Sequence, residues 1–150
     1  MLKYIINLSM GSLFSLFLIS TPSFSKTLVT WWNWGNEGSD LAVTITEDIQ
    51  NRFNASQDEI ELKISFKGED VNEPTRTALL AGAGPDIITS SGSTYVRAYY
   101  DGGFLKSMEG YSKKYGWNKQ ILPWAYNLGV FDGEFYSFPK NYESMVLFYN

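Results

Sequence analysis

Short segments with the character of β-strands alternate with helical segments, and this alternation constrains the fold most. Residues 27–31 are β-branched and aromatic, and residues 60–66 alternate strictly between apolar and polar side chains. Residues 86–89 form a third short apolar segment. Because helical segments separate these strands, we predict an α/β fold with an open sheet that helices cover on both faces.

The first helical segment follows strand 27–31 and a polar loop. Ser39 or Asp40 can cap its first turn. Within it, large apolar side chains recur every four residues, which places them in one stripe along the helix. The stripe consists of Leu41, Ile45, Ile49 and Phe53. We expect this stripe to lie on the sheet.

The remainder of the chain contains further strand, helix and turn signals. Residues 70–81 predict a second helix, and a third helix carries Val96 and ends at Gly102. Beyond it the chain is rich in turns and aromatic residues. The dipeptide 132–133 (Asp-Gly) predicts a two-residue hairpin turn, and residues 144–149 predict a last buried strand.

Residues 1–25 have the layout of a secretory signal peptide. Lys3 supplies positive charge, residues 13–19 supply an apolar region, and Ser23 and Ser25 supply the small residues of a cleavage site. The alternative is a membrane anchor, but polar residues interrupt the apolar region, whereas a stable span needs about 20 mostly apolar residues. A lipid anchor would require cysteine where Lys26 stands, so we expect a free protein in the periplasm.

Composition excludes several classes of function. The net charge is −4 and the basic residues are scattered, which argues against nucleic acid as a partner. The chain contains no Cys and no His, so a Ser-His-Asp or Cys-His nucleophile is impossible and a zinc site would need carboxylates alone. We therefore expect no metal and no cofactor. Binding chemistry must come from carboxylates, amides, hydroxyls and aromatic faces.

Two polar loops follow predicted strands, at residues 33–38 and 90–93. In open α/β sheets, ligands bind outside the carboxyl ends of the strands. The sequence therefore predicts a cleft for a polar ligand at one edge of the sheet, without naming the ligand. Trp32 and Trp34 could serve there as stacking platforms, whereas Trp31 lies within the strand and is expected to pack in the core.

Five segments, taken together, resemble the extracellular solute-binding proteins of ABC importers, in the sugar-binding, maltose-binding-protein-like family. They are residues 28–31 (LVTW), 79–88 (LLAGAGPDII), 103–105 (GFL), 132–139 (DGEFYSFP) and 143–150 (ESMVLFYN). The resemblance implies a type II periplasmic-binding-protein-like fold, a clamshell of two α/β lobes. It also implies that residues 26–150 form an incomplete N-terminal lobe that ends near the first hinge crossing.

The same resemblance implies a set of ligand contacts in two loops and at the hinge. They are Trp34, Asn36, Glu37, Ser90, Ser91, Ser93 and Glu143. These side chains suit a sugar, because its hydroxyls need groups that donate and accept hydrogen bonds and its C–H face can lie on an indole. Glu143 could instead form a salt bridge across the hinge. Serines stand where maltose-type members place charged and aromatic side chains, which weakens a prediction of maltose itself.

The resemblance implies a monomeric, non-enzymatic protein of the periplasm. It would capture a sugar or polyol and deliver it to the permease subunits of an ABC transporter. One alternative is an exported carbohydrate-active hydrolase, in which Glu37 and Glu143 would be the paired carboxylates that glycoside hydrolysis requires. Another is a structural or adhesive exported domain, which only the aromatic richness suggests.

Overall fold

The computed structural model describes residues 25–36, 41–141 and 147, and the statements below concern these residues. The predicted signal peptide, except Ser25, lies outside them. The predicted helix caps Ser39 and Asp40 and the predicted last strand, except Leu147, also lie outside them.

The described residues contain the strands and helices that the sequence predicts for residues 27–101, in the predicted order, followed by short elements. The strands are β1 (Thr27–Asn33), β2 (Ile60–Phe66), β3 (Ile87–Ile88), β4 (Val130–Phe131) and β5 (Glu134–Phe135). The helices are α1 (Leu41–Ser56), α2 (Asn72–Leu80), α3 (Ser93–Asp101), α4 (Glu109–Tyr115), α5 (Trp117–Gln120) and α6 (Pro123–Asn127). Where the sequence predicted only turns and aromatic residues, the structure has three short helices, α4 to α6.

Strand β1 lies at the centre of a three-stranded parallel sheet with the order β2-β1-β3. Thr27 pairs with Ile60 at one end of β1, and Trp31 pairs with Ile87 near the other. Parallel strands need a crossover connection, which α1 supplies between β1 and β2 and α2 supplies between β2 and β3. The predicted α/β alternation is thereby confirmed.

Helix α1 packs beside β2 through polar side chains. The Asn54 side chain accepts a hydrogen bond from the Leu62 N–H at 2.8 Å and donates one to the Leu62 carbonyl at 2.9 Å. Gln50 accepts a hydrogen bond from the Ile64 N–H at 2.6 Å. Gln57, the residue after α1, accepts from the Ile60 N–H and donates to the Ile60 carbonyl. These amides satisfy the outward-facing backbone of β2, which β1 cannot reach.

The prediction that the apolar stripe of α1 lies on the sheet was wrong. Its four members are between 37% and 74% exposed, whereas Val43 and Thr46 are buried on the neighbouring face. The physical reason is that the backbone of β2 needs hydrogen-bond partners, so α1 turns its amide face toward it. Leu28 and Ile87 also remain about half exposed, so the described residues do not cover both faces of the sheet.

The short helices surround an aromatic core centred on Phe135, whose side chain is fully buried. Its ring stacks on that of Tyr126, with centroids 4.4 Å apart and planes within 2°. The ring of Phe138 meets that of Phe135 edge to face, with centroids 5.3 Å apart, and the ring centroid of Trp117 lies 6.2 Å from that of Phe135.

Within the described residues, no helix combines the length and the apolar character that a membrane crossing requires.

The predicted Asp-Gly hairpin is confirmed, and each of its two strands is two residues long. Asp132 and Gly133 have φ angles of 49° and 83°. Two positive φ angles are the geometry of a type I′ turn, which matches the natural twist of an antiparallel pair. Strands β4 and β5 flank this turn, and Val130 pairs with Phe135.

Candidate binding site

The loops that follow β1, β2 and β3 all leave the same edge of the sheet, because the three strands are parallel neighbours. The backbone N–H of Thr89 donates to the carbonyl of Trp32 at 3.0 Å, which keeps β1 and β3 side by side where their loops begin. The described parts of both polar loops, residues 33–36 and 90–93, therefore lie at one sheet edge.

The loop after β1 is fixed by a backbone bridge. Gly35 and Gly68 exchange hydrogen bonds of 2.8 and 2.9 Å, which tie this loop to the loop after β2. Gly35 has a φ of 101°, and a Cβ on it would stand 2.7 Å from Cγ2 of Val43. Glycine is needed here for both reasons. The tie leaves Trp34 half-buried and Asn36 exposed at the sheet edge.

The loop after β3 is held by Asn72, the first residue of α2. The Ser91 N–H donates to Asn72 Oδ1 at 3.3 Å, and the hydroxyl of buried Tyr99 donates to the Asn72 carbonyl at 3.3 Å. Ser90 is half-buried and its hydroxyl donates to the Gly92 carbonyl, whereas Ser91 and Ser93 are exposed. Sequence reasoning missed Asn72, because an asparagine near a helix start is commonly a local cap.

Two predicted ligand contacts cannot be placed. Glu37 and Glu143 both lie outside the described residues. Their roles remain predictions, and so does the alternative pairing of these carboxylates in a hydrolase. Within the described part of the chain, no group of three or more His, Cys, Asp or Glu residues could hold a metal ion.

Lys140 is a polar residue of this edge that sequence reasoning missed. Its ammonium donates to Oδ1 of buried Asn33 at 3.2 Å, across 107 positions of sequence. It also lies over the rings of Trp31 and Trp34, 5.7 and 5.6 Å from their centroids. Burial lowers the pKa of Lys140. The contact joins the segment after β5 to the end of β1. Lys140 lies three residues before Glu143 in the sequence.

Each tryptophan of this edge already has a partner within the protein. The indole N–H of half-buried Trp31 donates to Thr89 Oγ1 at 2.8 Å, in keeping with a packing role. The ammonium of Lys67 lies 4.0 Å from the ring centroid of Trp32, so one face of that indole carries a cation. Trp34 and Lys140 line a cavity of about 10 Å³, which is enough for one water molecule but not for a sugar.

Asp86, the residue before β3, binds the backbone and side chain of Thr30 in the central strand. Its Oδ2 accepts hydrogen bonds of 2.8 Å from both the N–H and the hydroxyl of Thr30. These bonds, the backbone one first, hold the pKa of Asp86 below its ordinary value. Two neighbouring tyrosines on α3 pack within the protein. Tyr99 is buried, and the ring of Tyr100 stacks on that of Phe131, with centroids 4.9 Å apart.

Comparisons with known proteins agree with this architecture. The model of a family described as bacterial extracellular solute-binding protein matches residues 38–150. The solved structure of CpMnBP1 with mannotriose bound is similar over 77% of this chain and 28% of that one, with a TM-score of 0.65 and 17% identity. A probable secreted solute-binding lipoprotein from Streptomyces coelicolor is similar over 74% and 28%, with a TM-score of 0.61 and 17% identity.

Because each solved structure is only 17% identical to this chain, the similarity shows the fold alone. The predicted fold, an α/β fold of the periplasmic-binding-protein type, is confirmed. The chain spans about 28% of the length of these two structures, so it covers only part of such a fold. No curated protein sequence matches the chain significantly.

Proposed function

Because the chain belongs to the family of bacterial extracellular solute-binding proteins, we propose that it captures a sugar or a related polar solute in the periplasm. The captured solute would pass to the permease subunits of an ABC transporter. The mannotriose bound to CpMnBP1, a protein with the same fold, supports a sugar as the solute. Residues 1–25 would direct export, and residues 26–150 would belong to the first lobe, up to the first hinge crossing.

One observation carries this proposal: polar side chains from separate loops stand at the carboxyl edge of a parallel sheet. Ligands of open α/β folds bind at that edge. Asn36, Ser90, Ser91 and Ser93 supply amide and hydroxyl groups that can both donate to and accept from sugar hydroxyls. Trp34 supplies an apolar ring face beside them. We propose these residues as ligand contacts, together with Glu37 and Glu143 beyond the described part.

The open shape of this edge suggests how capture would work. Within the described residues, Asn36, Ser91 and Ser93 are exposed and Trp34 and Ser90 are half-buried, and the cavity beside Trp34 is too small for a sugar. A ligand held by one such surface would bind weakly. Contacts from a second lobe would add to them and shift the population toward a closed form. The closed form of the monomer would then dock on the permease, without catalysis and without a cofactor.

The test is to titrate the full-length mature protein with sugars and polyols while monitoring tryptophan fluorescence and heat of binding. The panel contains mannose, mannobiose, mannotriose, glucose, maltose and maltotriose, with mannitol and sorbitol as polyols. We expect saturable binding of at least one member, with the ligand recovered unchanged. Release of new reducing ends would favour the hydrolase alternative, and absence of binding across the panel would contradict the proposal.

The proposed contacts can be tested in the same assay. We expect Asn36→Ala to weaken binding of the best ligand by about 1–1.5 kcal/mol, the size of a neutral hydrogen bond. Asn118→Ala is the control, because Asn118 is an exposed asparagine that belongs to α5 and to none of the three loops. Equal affinities for the Asn36 variant and the unchanged protein would remove Asn36 from the site.

A further inference from the structure

Lys140 lies where the chain returns from the aromatic core to the sheet edge. The segment after β5 is anchored in that core by Phe138, whose ring centroid lies 5.3 Å from that of Phe135. Two residues further on, the Lys140 ammonium donates to Oδ1 of Asn33, at the end of the central strand. Lys140 therefore connects the chain that follows the hairpin with the loop that carries Trp34.

Asn33, the partner of Lys140, is the last residue of β1 and is only 2% exposed. Its backbone carbonyl accepts a hydrogen bond of 2.8 Å from the Lys67 N–H, which fixes it against the loop after β2. Its side-chain oxygen accepts from the Lys140 ammonium at 3.2 Å. A buried amide oxygen that loses its donor carries a desolvation penalty. The contact therefore stabilises the end of the strand from which Trp34 follows directly.

The same ammonium lies near two indoles. It is 5.7 Å from the ring centroid of Trp31 and 5.6 Å from that of Trp34. Indole faces attract cations that lie within about 6 Å of the ring centroid. Trp31 is itself fixed, because its indole N–H donates to Thr89 Oγ1 at 2.8 Å. One cation therefore orients the Trp34 ring relative to an indole that the sheet already holds.

Two further observations favour a positioning role for Lys140 over that of a solvated surface charge. Within the described part of the chain, no carboxylate forms a salt bridge with it. The cavity that Lys140 lines with Trp34 and Val43 has a volume of only about 10 Å³. In such close packing, loss of the ammonium would leave a void or shift the neighbouring side chains.

We propose that Lys140 is a positioning residue of the candidate site, which orients Trp34 for contact with the ligand without touching the ligand itself. The inference rests on the proposed function and deepens it, because it makes ligand binding depend on a residue outside the three loops. The charge of Lys140 is the active feature, since both ring contacts require a cation and the buried oxygen of Asn33 requires a donor.

The experiment compares two variants of the full-length mature protein: Lys140→Met, which removes the charge, and Lys140→Arg, which keeps it. The probe is the sugar or polyol of the panel that the unchanged protein binds most tightly, beginning with mannotriose. We expect Lys140→Met to weaken binding about three- to tenfold and Lys140→Arg by less than about twofold, because either cation can lie over an indole. Equal losses for the two variants would show that the charge does not orient Trp34.

Lys114→Met is the matched control. The Lys114 ammonium also lies over an aromatic ring, 5.1 Å from the centroid of Tyr115, but on α4 rather than at the sheet edge. This variant removes a cation from an aromatic face without touching the three loops. We therefore expect the affinity for the probe to stay that of the unchanged protein.

A double variant shows whether Lys140 acts through Trp34. Trp34→Ala alone should weaken binding, since it removes a proposed ligand contact. On that background, Lys140→Met should change the affinity by less than about twofold, because the effects of residues that act through one another do not add. A direct contact between the ammonium and the sugar would instead give the same loss with and without Trp34.

Tryptophan fluorescence tests the contact without any ligand. Trp34 is half-buried beside Lys140, so Lys140→Met should release its ring and make it more accessible to quenching by acrylamide. The increase should disappear when Trp34→Phe is also introduced, since Trp31 stays bound to Thr89. A merely structural role of Lys140 would lower the melting temperature without this dependence on Trp34.

Three results would overturn the positioning role and leave the proposed function intact. One is a Lys140→Met variant that binds the probe as tightly as Lys114→Met does. Another is a loss of affinity that adds in full to that of Trp34→Ala. The third is acrylamide quenching that Lys140→Met leaves unchanged. If the unchanged protein binds no member of the panel, the proposed function fails, and the quenching experiment alone decides whether Lys140 orients Trp34.

Discussion

Two regions of this chain differ in the kinds of contact that stabilise them. The sheet region, β1–β3 with α1 to α3, buries small aliphatic side chains such as Val43 and Leu62. Polar contacts complete it: the amides of α1 on the β2 backbone, Asp86 on Thr30 and Asn72 on Ser91. The aromatic region, α4–α6 with β4–β5, packs around fully buried Phe135. The difference shows that hydrogen bonds can fix loops at a sheet edge while leaving their side chains open to a ligand.

The largest effect is expected in the aromatic region. Phe135→Ala should lower the free energy of unfolding by about 3–5 kcal/mol, because it removes a fully buried ring and leaves a cavity. Urea denaturation of the full-length protein measures this. Phe53→Ala, on the apolar stripe of α1, is the control and should cost about 1–2 kcal/mol, because its ring is 37% exposed. Similar losses for the two variants would mean that packing around Phe135 contributes no more to the free energy of unfolding than the stripe of α1 does.

A smaller loss is expected where backbone strain meets a close contact in the sheet region. Gly35→Ala should cost about 2–3 kcal/mol, because φ is positive and the new Cβ would collide with Val43. Gly82→Ala is the control: its φ is 67° but nothing lies within 4 Å, so about 1 kcal/mol is expected. The Gly35 variant should also weaken sugar binding, since the loop carrying Trp34 must shift. Equal stability of the two variants would contradict the contact with Val43.

The amide face of α1 can be compared directly with its apolar stripe. Asn54→Ala removes a donor and an acceptor from the Leu62 backbone and should cost about 2 kcal/mol. Ile49→Ser, on the half-exposed stripe, should cost about 0.5 kcal/mol or less. The melting temperatures of both variants show which face of α1 contributes more to stability. A larger loss for Ile49→Ser would show that another part of the full-length protein packs on the stripe.

The smallest effect depends on pH. Asp86→Ala should lower stability by about 1 kcal/mol at pH 7, because an exposed carboxylate loses two hydrogen bonds that solvent partly replaces. The pKa of Asp86 is lowered in the folded protein. Its stabilisation is therefore fully present above the unfolded pKa of about 3.9 and disappears as the pH falls through the lower folded value.

Unfolding experiments at pH 7 and below pH 4 should accordingly show the difference between Asp86→Ala and the unchanged protein becoming smaller in acid. Asp48→Ala is the control, since its carboxylate forms an exposed ion pair with Arg52. A difference for Asp86→Ala that does not change with pH would mean that the two hydrogen bonds do not depend on the charge.

Local patterns predicted much of this fold. The alternation in residues 60–66 and the β-branched character of residues 27–31 predicted β2 and β1, because period and propensity are properties of short segments. The Asp-Gly pair predicted the hairpin for the same reason. The five family-like segments predicted membership of the solute-binding family, which the match over residues 38–150 confirms. None of these inferences needed knowledge of distant contacts.

The contacts that organise the site depend on pairs far apart in sequence. Lys140 and Asn33 are 107 positions apart, and no local signal in either residue indicates the other. The periodicity of α1 indicated an apolar stripe but not which face would meet the sheet, since that depends on the unpaired backbone of β2. Sequence alone determined β1 to β3, the turn and the polar character of the loops, because each follows from short-range sterics and pattern. Only the tertiary structure decided the facing of α1 and the partners of Asn33 and Ser91, because burial and hydrogen bonding are satisfied across the whole fold.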